Sequence, residues 1–151
     1  MSWKDDANLI LRQLGEHLDC GPMELNDNNA AMFSLDNENL GVIIYGDEGE
    51  DDNSAALIVN IILGPVTPSN GELLYDLLCA NYMWSSTGGG TLAIDQPSGV
   101  LTLQKDIALP VDYDLFEDIF LHLAGAARYW QQTLEQESTA GEIQSHDMLR
   151  V

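Results

Sequence analysis

Apolar residues recur at three- and four-residue steps in three stretches of the chain, which is the spacing of an amphipathic helix. The first stretch is residues 3–19, and Cys20-Gly21-Pro22 ends it. The second begins at the capping-box pattern Ser69-Asn70-Gly71-Glu72. The third covers roughly residues 113–135 and follows Asp112, a residue that favours a helix start. The pattern therefore predicts one helix at each end and one in the middle.

Between these helices, runs of β-branched and aromatic residues are bounded by turn-forming residues. They predict strands at residues 30–35, 40–46, 55–63, 91–95 and 100–107. Hairpins joined by helices predict an α+β fold of order α-β-β-β-α-β-β-α, with a mostly antiparallel, twisted sheet packed by helices. We expect one domain over residues 1–135 and a polar, flexible tail over residues 136–151.

The predicted sheet is apolar on both faces, whereas a sheet covered on one face alternates apolar and polar residues. Strands 40–46 and 55–63 carry aliphatic side chains on both faces, interrupted on one face by Asn60. Exposing them would leave an apolar patch that soluble monomers avoid. Either helices cover both faces, or a second subunit or a bound polypeptide covers one. Since the second helix is leucine-rich around much of its circumference, we expect a homodimer that uses this helix.

The charge of the chain is strongly negative. Its 151 residues include 25 Asp and Glu against 5 Lys and Arg, a formal charge of −20, while 45% of the residues are hydrophobic. An ordered core is therefore expected, and direct binding to nucleic acid or an anionic membrane is disfavoured. The acidity serves solubility alone or also favours a partner that the protein keeps soluble. Neither the acidic start of the chain nor its two distant cysteines is typical of a secreted protein, so we expect a cytoplasmic location.

Catalytic and cofactor motifs are not recognisable in the sequence. The histidines His17, His122 and His146 are scattered, and no second ligand pair accompanies His17 and Cys20, so neither a metal nor a cofactor is predicted. No serine stands in a Gly-x-Ser-x-Gly pattern, and the acidic stretch 47–54 lacks the spacing of a calcium loop. We therefore expect no enzyme. A hydrolase that uses one of the many carboxylates is the alternative, and it predicts a polar cleft with a carboxyl group of raised pKa.

The order of elements, the size and the acidity resemble the class I type III secretion chaperones, the Tir-chaperone-like family. The second helix, Leu73 to Asn81, resembles the leucine-rich helix of that family, which ends in Asn. The segment Thr87-Gly88-Gly89-Gly90-Thr91-Leu92 resembles its glycine-containing start of the fourth strand. Further matches follow at Val100-Leu101-Thr102-Leu103, Leu109-Pro110, Phe116 and Trp130. The resemblance spans roughly residues 3–135.

The resemblance implies a bacterial, cytoplasmic homodimer with a role in virulence and without ATPase activity. Such a chaperone would bind the N-terminal chaperone-binding region of one or more secreted effector proteins and keep that region soluble and ready for secretion. The extended effector would wrap around the dimer, and an exposed sheet edge could take up one of its strands. An adaptor that binds a cytosolic regulator is the alternative function.

We assign candidate contact residues on this basis, with ordinary core packing as the alternative for each. The residues expected to bind the effector are Leu9, Leu14, Phe33, Leu35, Val42 and Ile44. The residues expected in the dimer interface are Leu74, Leu78, Tyr82 and Leu92.

Overall fold

The computed structural model describes residues 2–37, 39–51 and 53–148, and side chains as far as residue 137. Its elements are helix α1 (Trp3–His17), strands β1 (Ala30–Leu35), β2 (Leu40–Asp47) and β3 (Ala56–Pro65), helix α2 (Gly71–Asn81), a short 3₁₀ helix (Tyr82–Trp84), strands β4 (Thr91–Asp95) and β5 (Val100–Ala108), and helix α3 (Tyr113–Met148). The predicted α+β order is confirmed, with most boundaries within two residues of the sequence prediction.

Local side-chain contacts explain where the helices begin. At α1 the Ser2 side chain accepts the Asp5 N–H, and Asp5 accepts the Ser2 N–H in return, which is a capping box. At α2 the capping residue is Asn70, whose side chain accepts the Leu73 N–H at 3.2 Å. The predicted cap at Ser69 was wrong by one residue, since Asn also caps well and Asn70 directly precedes the helix.

The five strands of the described chain form one antiparallel sheet in the order β1-β2-β3-β5-β4. The long strands β3 and β5 lie at its centre, and β1 and β4 are its edges. The β3–β5 register shifts between Ile62 and Gly64, which marks a bulge at the end of β3. The expected mostly antiparallel sheet is confirmed.

Helices cover one face of the sheet. On β3 the buried residues Leu57, Val59 and Ile61 alternate with half-buried or exposed ones, and they share one core with α1 and α3. The largest fully buried side chains include Leu11, Leu14, Leu40, Val42, Ile44, Leu103, Phe116 and Phe120. The alternative in which helices cover both faces does not hold for the described chain, because the opposite face keeps exposed side chains such as Tyr45 and Ile62. We call this opposite side the open face.

Helix α3 continues beyond its predicted end. The amphipathic pattern predicts residues 113–135, whereas the helix runs from Tyr113 to Met148. The apolar stripe ends near Leu134, but the residues that follow include good helix formers, so the helical backbone continues past the end of the stripe. That residues 136–151 are flexible in solution stays a prediction, and residues 149–151 lie outside the described residues.

Candidate protein-binding surfaces

The first candidate surface is an apolar ridge along α2. This helix lies along the β4 edge and buries Leu73, Leu77 and Ala80. Its other side leaves Tyr75, Leu78 and Tyr82 exposed by 68%, 71% and 76%. Met83 and Trp84 are exposed directly after them. We call Tyr75, Leu78, Tyr82, Met83 and Trp84 the α2 ridge. Five large apolar side chains on one short segment form a patch that is typical of an interface.

The end of the α2 ridge has a strained backbone. Met83 and Trp84 both adopt φ of 53°, the left-handed region that residues other than glycine rarely occupy. Each such residue costs roughly 1–3 kcal/mol and persists only where its surroundings impose it. The strain holds two bulky apolar side chains at the surface, which is the arrangement expected where another molecule contacts them.

The neighbouring sheet edge, that of β4, is closed at Leu92 by a side chain. Asn81, the last residue of α2, donates from Nδ2 to the Leu92 carbonyl oxygen at 2.9 Å and accepts the Leu92 N–H at Oδ1 at 2.8 Å. The amide side chain thus pairs with β4 as a neighbouring strand would. Backbone pairing with another chain at Leu92 is blocked, so this edge is protected from strand addition there.

The opposite sheet edge is open over most of its length. At the start of β1, Ala30 bonds through its N–H to Asn26 Oδ1 and through its carbonyl oxygen to the Asn26 N–H. Beyond Ala30, no strand of the described chain pairs with the outer side of β1. Met32, in the middle of this strand, is 69% exposed. The β1 edge can therefore accept an extended segment by backbone hydrogen bonding.

The second candidate surface is a groove on the open face. It has a volume of about 710 Å³ and is lined by Tyr45, Asn60, Ile62, Thr102, Gln104 and the β4–β5 turn. Asn60 Oδ1 is shielded from solvent and accepts no hydrogen bond from the described part of the chain. A buried acceptor without a donor is unfavourable. The groove therefore combines apolar side chains with a buried amide oxygen that lacks a donor among the described residues.

The charged contacts lie around the rim and hold the helices to the sheet. Arg128 on α3 binds Asp36 in the β1–β2 turn through two hydrogen bonds of 2.7 and 3.1 Å, and these keep the pKa of Asp36 below its usual value. Gln131 on the same helix donates to the Asn39 carbonyl oxygen at 2.6 Å. These contacts fix the end of β1 against α3.

A second rim contact joins the end of α1 to the start of α3. His17 Nδ1 lies 2.8 Å from Glu117 Oε2 and 3.1 Å from the Tyr113 hydroxyl. The bond to His17 lowers the pKa of Glu117, and burial, helped by Glu117, raises the pKa of Tyr113. A lowered pKa keeps a carboxylate ionised, which is the opposite of what a general acid needs.

The described residues offer neither a metal-binding cluster nor a membrane-spanning helix. No group of three or more His, Cys, Asp or Glu side chains in the described part of the chain could hold a metal ion. No helix among the described residues is both long and apolar enough to cross a bilayer.

The six residues predicted to bind an effector lie mostly in the core. Leu14, Leu35, Val42 and Ile44 are buried, and Phe33 is half-buried with its ring centroid 6.1 Å from that of Phe120. Leu9, exposed by 48%, is available to a partner on the surface of α1. The effector contacts of these residues stay a prediction. In this conformation, buried side chains reach no partner.

Of the four residues predicted for the dimer interface, two are exposed and two are at least half-buried. Leu78 and Tyr82 belong to the α2 ridge, Leu74 is half-buried, and Leu92 is buried under α2. The prediction omitted Tyr75, Met83 and Trp84. The signal for Tyr75 was present, because residues 75, 78 and 82 form a second stripe at helical spacing beside the buried one. The exposure of Met83 and Trp84 depends on backbone strain, which carries no such periodic signal.

Comparison with known proteins assigns the family. The profile of the Tir chaperone protein (CesT) family matches residues 9–131, most of the chain. The protein therefore belongs to the Tir chaperone protein (CesT) family. The predicted family is confirmed. No curated protein sequence matches the chain.

Solved structures share the fold. The ExsC–ExsE complex contains a chain that is 16% identical, with a TM-score of 0.72, over 87% of this chain and 96% of the other. The HopA1–SchA chaperone–effector complex matches at 16% identity and a TM-score of 0.66, over 84% of this chain and 94% of the other. The Yersinia pestis type III secretion chaperone SycH in complex with a stable fragment of YscM2 matches at 16% identity and a TM-score of 0.60, over 81% and 97%.

Proposed function

We propose that this protein is a type III secretion chaperone. It forms a homodimer in the bacterial cytoplasm and holds the N-terminal segment of one or more effector proteins in extended form, without ATP and without catalysis. Membership of the Tir chaperone protein family supports the class of function. Similar structures that are chaperone–effector complexes support the kind of partner.

One observation carries the proposal: a single chain leaves two separate apolar surfaces uncovered. The α2 ridge lies beside the β4 edge, where Asn81 blocks backbone pairing. The open face and the β1 edge present a groove and unpaired backbone. A helical ridge beside an edge that is blocked at Leu92 suits a twofold contact between copies. A groove and an open edge suit an extended polypeptide. One surface can therefore close the dimer while the other remains for the effector.

The dimer is tested with paired variants. Leu78→Asp places a charge in the centre of the α2 ridge, whereas Leu121→Asp places the same charge on the exposed side of α3. Light scattering should give twice the mass of one chain for the wild type and for Leu121→Asp. It should give the mass of one chain for Leu78→Asp, because a carboxylate buried without a partner disrupts an interface. A dimeric Leu78→Asp protein would show that the ridge is not the interface.

The partner is tested by capture from bacteria that contain a type III secretion system. The tagged wild-type protein should retain a secreted effector through its N-terminal segment, in a complex of two copies of this chain and one effector. A retained cytosolic regulator that is not secreted would favour the adaptor function instead. A wild-type protein of single-chain mass that retains no protein would contradict the chaperone proposal.

A further inference from the structure

The end of the α2 ridge lies in a loop whose two ends are joined by one side chain. Asn81 is the last residue of α2, and its side chain makes hydrogen bonds of 2.9 and 2.8 Å with the backbone of Leu92. Residues 82–90, which we call the ridge loop, include Met83 and Trp84 of the ridge. Joining the ends of a loop restricts its conformations without selecting one. Further contacts must therefore fix Met83 and Trp84.

Helix α3 provides the first of these contacts. The indole Nε1–H of Trp130 donates to the Ser86 carbonyl oxygen at 2.8 Å, two residues after Trp84. Trp130 is only 5% exposed and belongs to the main core, so the position of its ring is set by core packing. A buried indole N–H without an acceptor is unfavourable, which favours keeping Ser86 in place. This hydrogen bond ties the backbone directly behind Trp84 to the core.

Close packing fixes the next part of the ridge loop against the same helix. Thr87 is fully buried. Gly88 has φ of 62°, and a Cβ atom on it would lie 2.5 Å from the His122 carbonyl oxygen of α3. A side chain at this position would therefore push the loop away from the helix. The backbone after Ser86 is held on α3 by contact as well as by the hydrogen bond.

Strand β5 provides a further contact at the surface. Lys105 Nζ donates to the Gly89 carbonyl oxygen at 3.1 Å. Trp84, Gly89 and Lys105 line one pocket of about 590 Å³, so the lysine lies beside the end of the ridge. This hydrogen bond is exposed and competes with water, whereas the Trp130 ring is buried. We therefore expect Trp130 to contribute more than Lys105 to the order of the ridge loop.

We propose that Trp130 is a positioning residue of the dimer interface, because it holds Ser86 and thereby presents Met83 and Trp84 to the second copy. This inference rests on the proposed homodimer and specifies a residue outside the α2 ridge that prepares it. Met83 and Trp84 both adopt φ of 53°, a conformation that an unrestrained loop would rarely keep. Side chains that are ordered before association lose less conformational freedom when the dimer forms.

The test compares Trp130→Phe with the wild type. Phenylalanine keeps an aromatic ring in the core but has no N–H for the Ser86 carbonyl oxygen. The dimer dissociation constant, measured by analytical ultracentrifugation, should rise by about tenfold. Phe120→Leu is the control, because Phe120 is a fully buried residue of α3 whose ring neighbours are Phe33 and Phe116. It should lower the unfolding temperature but change the dissociation constant by less than about twofold. Equal increases in both variants would overturn the proposal.

A second comparison checks that Trp130 acts through the end of the ridge. Adding Trp130→Phe to Trp84→Ala should raise the dissociation constant by less than about threefold, because the side chain that it positions is already gone. Adding it to Tyr75→Ala should still raise the constant by about tenfold, because Tyr75 lies on α2 outside the ridge loop. Equal effects in the two backgrounds would show that Trp130 does not act through Trp84, and would overturn the proposal.

The order of the ridge loop is also measurable without the dimer. In the Leu78→Asp protein, adding Trp130→Phe should accelerate amide hydrogen exchange of residues 82–90 by at least about tenfold and leave β2 unchanged. Unchanged exchange in the loop would overturn this inference alone, as would a wild-type dimer whose dissociation constant is insensitive to Trp130→Phe. A wild-type protein of single-chain mass, or a dimeric Leu78→Asp protein, would contradict the proposed dimer interface together with this inference.

Discussion

The two faces of the sheet are built from the same strands but differ in what surrounds them. On β3, Ile61 is fully buried under the helices, while the adjacent Ile62 is 36% exposed on the open face. The helix-covered face is aliphatic and aromatic throughout its core. The open face interrupts its aliphatic residues with Asn60, Thr102 and Gln104. The same residue type therefore serves stability on one face and remains available for binding on the other.

This difference shows why apolar residues alone do not identify a binding surface in this protein. Val42 and Ile44 are as hydrophobic as Ile43 and Ile62, yet they are completely covered. The open face is recognisable by the polar residues Asn60, Thr102 and Gln104. It also contains the Asn60 side-chain oxygen, which accepts no hydrogen bond from the described residues and would be unfavourable in the core.

Truncation of two adjacent isoleucines, one on each face, should give the largest difference in the free energy of unfolding. Ile61→Ala removes fully buried methyl and methylene groups and leaves a cavity, so the free energy of unfolding should fall by about 2–5 kcal/mol. Ile62→Ala, the matched control on the open face, should cost about 1 kcal/mol or less. Urea unfolding at one fixed protein concentration measures both, because dimer stability depends on concentration. Similar losses would mean that the open face is covered in solution.

Replacement of the unpaired acceptor should have a smaller effect of opposite sign. Asn60→Leu removes a buried oxygen that accepts no hydrogen bond from the described chain, so the free energy of unfolding should rise by about 1 kcal/mol. Gln104→Leu is the control, since it adds a similar apolar side chain at an exposed position beside it. Urea unfolding distinguishes them. A loss of stability in Asn60→Leu would show that this amide oxygen has a hydrogen-bond donor in solution.

Much of the fold follows from periodicity in the sequence. The three- and four-residue steps of α1 and of the first part of α3, and the turn residues between the strands, predict the element order and nearly all boundaries. The end of α3 could not be predicted from the apolar stripe, because that stripe ends near Leu134 while the helical backbone continues to Met148. Periodicity reports a covered face and not the length of a helix.

The candidate site was less predictable than the fold. Alternation assigns Val42 and Ile44 to one face and Ile43 to the other, but it does not say which face the helices cover. The predicted effector residues on the strands lie on the face that the helices cover, whereas Leu9 on α1 is exposed. On α2 the opposite happened: Leu78 and Tyr82 are exposed as an interface requires, because a short helix at the sheet edge cannot bury its whole circumference. In the sequence Asn81 is recognisable only as the end of a motif, because its pairing with β4 depends on tertiary structure.

The smallest predicted effect concerns the rim of the helix-covered face and depends on pH. Arg128 lowers the pKa of Asp36 in the folded protein, so the ion pair contributes stability above the ordinary pKa of aspartate, and this contribution is lost as the pH falls through the lowered folded pKa. Because both side chains are about 40% exposed, Asp36→Asn should cost at most about 1 kcal/mol at pH 7. The difference in the free energy of unfolding between Asp36→Asn and the wild type should disappear as the pH drops below about 4.

Asp36→Asn needs a control because it also changes the overall charge of the protein. Removing any carboxylate from a chain with a formal charge of −20 relieves self-repulsion, which opposes the loss of an ion pair. Asp27→Asn removes the same charge from an exposed turn, so subtracting its effect leaves the contribution of the Arg128–Asp36 pair. Urea unfolding of the three proteins between pH 3 and pH 7 measures this difference. If Asp36→Asn and Asp27→Asn behave alike at every pH, the pair does not hold the β1–β2 turn to α3, and packing alone fixes the end of β1.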